Sequence, residues 1–128
     1  MSIQDLIDKL YELKEPSRDL EIEVAQLVGW KQRSEKFLDD KGNVRERTLY
    51  LVPNGDKEGK VPRYTLYLHD AFNLAQLIAP DHVGGVAWEN GMGSARINNG
   101  PYVQAASAPI ALTIAALTLL QQKVTSRR

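Results

Sequence analysis

Cysteine is absent from all 128 residues, which excludes a disulfide framework, thiolate-held metal and cysteine nucleophiles. Histidine is scarce, with His69 and His82 the only two. They stand at opposite ends of a predicted helix, on the order of 15 Å or more apart, too far to share one ion. Net charge is absent as well, because sixteen basic residues cancel sixteen acidic ones, and a chain so balanced lacks the overall footprint of a protein that binds many phosphates. A long uninterrupted apolar run is also missing. The most apolar stretch, 107–124, is broken by Ser107, Pro109, Thr113 and Thr118 and gives way to Gln121, short of the ~20 apolar residues needed to span a bilayer. No basic head followed by an apolar stretch follows Met1, so no secretory signal is expected, and the cytoplasm is the expected compartment.

What is present fits one folded domain spanning 1–128. Apolar residues make up 43% and charged residues 25%, ordinary values for a globular chain. Charge is nonetheless uneven along it. Residues 1–28 carry seven acids against three bases, a net of −4, and residues 29–63 carry nine bases against six acids, a net of +3.

Ser2 with Asp5 reads as a capping box with a shorter acid, and Ile3, Leu6, Ile7 and Leu10 recur at helical spacing, so a first helix is predicted over about 3–14. Pro16 breaks it, Ser17 caps again, and Leu20, Val24, Leu27 and Val28 form a second stripe that Gly29 ends. The opening is thus a helical hairpin. Strands are predicted at 30–38 and 44–52 around the turn-like Asp39-Asp40-Lys41-Gly42-Asn43. A third helix carries Leu68, Ala71, Phe72, Ala75 and Ile78 and stops at Pro80. Asn90-Gly91 and Asn99-Gly100 punctuate short strands at 85–89, 94–98 and 102–105, an antiparallel meander. The last segment is apolar nearly all round and is expected to be a helix buried on every side.

The run Glu15-Pro16-Ser17-Arg18-Asp19-Leu20-Glu21-Ile22-Glu23, then Val28-Gly29-Trp30, then Pro62-Arg63-Tyr64-Thr65 leading to Ala71-Phe72 and Pro80, and finally the Ala-Pro-Ile-Ala-Leu opening of the last segment, resemble the phage ABA sandwich domain family in collinear order. Tyr67 and His69 depart from the pattern, standing where a small capping residue and an acid are expected. The resemblance implies a three-layer α/β/α sandwich in a small phage- or prophage-encoded protein, and it supplies no catalytic residue. Helices at the start, middle and end of the chain are compatible with such an α+β architecture, a mostly antiparallel, short-stranded sheet between helical layers.

Motifs that carry chemistry are not found. Gly55-Asp56-Lys57-Glu58-Gly59-Lys60-Val61 has three residues between its glycines where a phosphate loop has four, and Val61 where a hydroxyl is needed. Gly91-Met92-Gly93-Ser94-Ala95-Arg96 lacks the third glycine of a dinucleotide fingerprint. His69-Asp70 and Asp81-His82 are adjacent pairs that do not face each other on a helix, and helix-end capping is their expected role. No catalytic, cofactor or metal residue is therefore assigned. One segment does interleave cations with aromatics: Lys31, Arg33, Lys36, Arg45, Arg47 and Tyr50 are candidate nucleic-acid contacts, diluted by Glu35, Asp39, Asp40 and Glu46. The favoured expectation is a non-enzymatic accessory protein that binds or assembles with a phage or host protein, with self-association open. A nucleic-acid binder comes second and an enzyme with an unrecognised site third.

Overall fold

In the computed structural model, which describes residues 2–126, four helices and five strands follow one another in the order the sequence pattern suggests. Helix α1 (Ile3–Glu12) begins where the Ser2 side chain accepts from the Asp5 N–H at 3.1 Å. Helix α2 (Arg18–Leu27) begins where Ser17 accepts from the Leu20 N–H at 3.2 Å. Both caps satisfy a helix-end donor that would otherwise lack a partner. Leu6, Ile7 and Leu10 of α1 and Leu20, Val24 and Ala25 of α2 turn inward, the faces their spacing predicts.

Strands β1 (Lys31–Leu38) and β2 (Val44–Leu51) pair antiparallel as a hairpin, from Lys31 opposite Leu51 to Leu38 opposite Val44. A second, three-stranded sheet has the order β3-β4-β5, from β3 (Gly84–Glu89), β4 (Met92–Ile97) and β5 (Val103–Ala105). Asn90 and Gly91, at φ of 51° and 78°, make the tight turn between β3 and β4, the pairing of positive φ that suits a two-residue hairpin loop. Between the sheets lies α3 (Leu68–Ile78), and the chain ends in α4 (Ala108–Ser126).

The class is mixed α+β. Helix α4 packs against β4 and β5 and also against α3 and α1. Strands and helices alike thus pack on this one helix. The reason is compositional: Ile110, Ala111, Ile114, Ala116 and Leu117 are fully buried around its circumference. On β4, Gly93, Ala95 and Ile97 face α4, and Met92 and Arg96 are exposed. Gly93 marks the closest approach, since a Cβ there would lie 2.2 Å from the Ala108 nitrogen. At roughly 1.5–3 kcal/mol for each fully buried large aliphatic side chain, α4 contributes more to the core than any other element. Among the described residues, no helix is long and apolar enough to cross a membrane.

Helix α3 departs from its predicted face. Ala71, Leu74, Ala75 and Ile78 are buried, whereas Phe72 is exposed. Leu74 takes the inward place one turn before Ile78, and the ring is left in solvent.

The segment between the hairpin and α3 is tied down by buried polar groups. The Glu21 carboxylate, 1% exposed, accepts from the Thr65 hydroxyl at 2.6 Å and the Thr65 N–H at 3.1 Å through Oε2, and from Arg18 Nη1 at 3.0 Å through Oε1. The Ser17 N–H donates to Thr65 Oγ1 at 2.9 Å, and from α4 the Thr113 hydroxyl donates to the Tyr64 carbonyl at 2.9 Å. Buried polar groups so paired escape the desolvation cost of isolation. They clip residues 62–65 to both α2 and α4.

Candidate interaction surface

The β1–β2 hairpin is fixed only at its base. Leu49 and Leu51 are buried, Trp30 and Tyr50 pack against the core, and the Gln26 side chain on α2 donates to Gln32 at 3.0 Å. Residues 57–59 run beside β2, with the Val52 N–H donating to the Lys57 carbonyl and the Gly59 N–H to the Tyr50 carbonyl, both at 2.9 Å. Beyond Thr48 the ribbon emerges from the body, and both of its faces are largely in solvent from Lys36 to Arg47. Such a two-stranded ribbon is marginal by itself in water. Its tip nevertheless presents Phe37, Leu38 and Val44 at 42%, 69% and 69% exposure.

Register decides where the six candidate contact residues go. Partners directly opposite share a face and neighbours along a strand do not, so Lys31, Arg33, Arg45 and Arg47 lie on one face and Lys36 and Tyr50 on the other. The six candidates are thus divided between two faces. Most of its charge is also answered within the chain. Arg47 Nη2 meets Glu35 Oε2 at 3.3 Å across the strands, Arg45 Nε meets Asp39 Oδ2 at 2.9 Å, and Lys31 Nζ lies 3.7 Å from Asp56 Oδ1. The Ser34 hydroxyl hydrogen-bonds Glu46, and the Arg47 guanidinium sits 5.8 Å from the centre of the Phe37 ring. Tyr50 is half-buried at the base rather than displayed for stacking.

The turn at the tip is built around Asp39. Its Oδ1 accepts from the Lys41 and Asn43 N–H groups, each at 2.9 Å. With Arg45 as the largest influence and these backbone bonds behind it, the Asp39 carboxyl is held below its ordinary pKa. The turn thereby sets the register that brings Leu38 opposite Val44 and exposes both.

His69 is exposed on the first turn of α3, and His82 Nδ1 lies against the Ala79 carbonyl just past the end of that helix. Among the described residues, no group of three or more His, Cys, Asp or Glu side chains is placed to hold a metal ion. Sequence reasoning did not anticipate the apolar cleft of about 630 Å³ where the ends of α2, α3 and α4 meet Pro53. Leu27, Leu77 and Leu120 line it, and its one charged lining residue, Lys123, donates to the Ile78 carbonyl. It is made of element ends, which periodicity does not bring together. Neither family models, nor curated proteins, nor solved structures provide a match to this chain.

Proposed function

We propose that the chain is a non-enzymatic, phage- or prophage-encoded accessory protein that binds or assembles with a protein of the phage or its bacterial host through the β1–β2 hairpin. The observation that carries this reading is the hairpin tip, where Phe37, Leu38 and Val44 stand in solvent on a ribbon with little of its own to hold it. Exposed apolar side chains rimmed by polar ones are characteristic of protein contact sites. The internal ion pairs of Arg45 and Arg47 favour a protein partner over a phosphate backbone, because a nucleic acid would have to displace Glu35 and Asp39 first. The phage origin is supported by the collinear resemblance of residues 6–30, 62–80 and 105–120 to the phage ABA sandwich family.

The test is co-purification from the native host with the wild-type chain and with a Phe37→Ser/Leu38→Ser double variant, cross-linked through a photoreactive group placed at position 44. A protein partner cross-linked to wild type and lost from the double variant supports the reading. An unchanged set of partners for both chains sinks it. Retardation of short DNA or RNA at low salt, abolished by Arg33→Gln and Lys36→Gln, would transfer the hairpin to nucleic-acid binding instead.

A further inference from the structure

We infer that the cavity bordered by the start of α2 and the start of α3 is a binding site for a small tetrahedral oxyanion, either phosphate or the phosphate group of a small monoester. The cavity has a volume of about 530 Å³, and Arg18, Lys60, Arg63, Tyr67 and Asp70 line it. Three cations from two separate stretches of chain therefore line one concavity, with Asp70 beside them and the buried Glu21 carboxylate paired to Arg18 from behind.

Each cation is presented differently. Arg18 is held in place from behind: its Nη1 donates to the buried Glu21 carboxylate at 3.0 Å and to the Pro62 carbonyl at 3.3 Å. That anchoring leaves the rest of the guanidinium fork oriented, and a pre-set fork matches an oxyanion with little further ordering. Lys60 and Arg63 have exposed side chains, and neither makes an ion pair among the described residues. Asp70 offsets one of the three charges but forms no ion pair with either side chain among the described residues, its Oδ2 accepting from the Arg63 backbone N–H at 2.7 Å. The lining keeps a surplus of positive charge.

Two further features suit an anion. Tyr67 is the N-cap of α3 and makes no side-chain capping bond, so the first turn of the eleven-residue helix offers N–H groups, and a partial positive charge, beside the cations. The cavity is also concave, and of a size that suits a small ligand, which favours a compact anion over the extended backbone of a nucleic acid. A phosphate there would answer Lys60 and Arg63, which line the cavity without an ion-pair partner among the described residues.

The experiment is calorimetric titration of the full chain with inorganic phosphate at constant ionic strength set with chloride, repeated for Lys60→Gln, Arg63→Gln and a control, Arg33→Gln, on the hairpin. Thermal melts of each variant confirm folding. Saturable one-site binding is expected, weakened about fivefold or more by Lys60→Gln and by Arg63→Gln, the loss that goes with one charge-assisted hydrogen bond, and unchanged by Arg33→Gln. Absence of saturation overturns the inference. So does equal weakening by Arg33→Gln, which would mean diffuse attraction. Binding to phosphatidic acid vesicles without any to free phosphate would overturn it too, since the recognised object would then be a surface.

Discussion

Two antiparallel hairpins in this molecule meet opposite fates. The β3–β4 hairpin lies under α4 along one face, so Ala95, Ile97 and, on the added strand β5, Val103 are buried. The β1–β2 hairpin has longer strands of eight residues each and buries only the end of β2. Strand pairing is similar in both, which means that hydrogen bonding does not separate them. What separates them is whether a wholly apolar helix is available to cover a face, and α4 can serve only one sheet. Stability is concentrated where the cover is, and the uncovered hairpin is left with apolar side chains and room for a partner.

The severest way to break that contrast is to remove the cover. Ending the chain before Ser107 exposes the inward faces of β4, α1 and α3 together, and the expected outcome is complete loss of cooperative unfolding by calorimetry and circular dichroism. A cooperative melt of residues 1–106 would show that α4 is not the centre of the core. Next in size is Gly93→Val, whose Cβ would lie 2.2 Å from the Ala108 nitrogen and the Ser107 carbonyl carbon, both of them backbone atoms. Neither can swing aside as a side-chain tip could. Overpacking of this kind destabilises by about 3 kcal/mol, which corresponds to a fall of roughly 10 °C in Tm for a domain of this size. On the exposed hairpin, Phe37→Ser with Leu38→Ser is expected to change stability by less than ~0.5 kcal/mol, although it alters two large apolar residues. A drop comparable to that of Gly93→Val would mean that the tip is packed in solution and is not free for a partner.

The contrast also explains what could be read from residues alone. The two N-terminal helices were legible because Ser2 and Ser17 are caps followed by inward residues at helical spacing, and the chemistry of a cap is local. The central role of α4 was legible because no exposed element has reason to be apolar all round. Asn90-Gly91 announced the β3–β4 turn through its own backbone preference. The order of the strands and the neighbours of α4 were not legible, since nothing within one segment records them. Phe72 shows the same limit from the other direction: its spacing fits the inward face, yet Leu74 occupies the place. For Lys31, Arg33, Lys36, Arg45, Arg47 and Tyr50, composition registered the cations but not their division between faces, because that depends on the register set by Asp39. The cavity lined by Arg18, Lys60 and Arg63 joins residues more than forty positions apart, held together by Glu21 and Thr65.

At high pH the covered core can be sharpened against the hairpin by a single hydroxyl. Tyr64 is 3% exposed, and burial, aided by the negative charge of Asp70, raises its pKa from 10.0 to about 12. The proton is therefore held more tightly in the folded chain than in the unfolded one. Between about pH 10 and 12 the unfolded chain loses this proton while the folded chain keeps it, so stability falls as pH rises through that window and is unaffected below it. Tyr64→Phe should remove this share of the alkaline loss and leave the hydrogen bond from the Thr113 hydroxyl to the residue 64 carbonyl in place, because residue 64 enters that contact only through its backbone. Denaturant midpoints measured at pH 7, 10 and 11.5 would follow the wild type at the first value and exceed it at the last. If the two chains lost stability in parallel up to pH 11.5, Tyr64 would be ionising as freely folded as unfolded, and the wall between α2, α3 and α4 would be open to water.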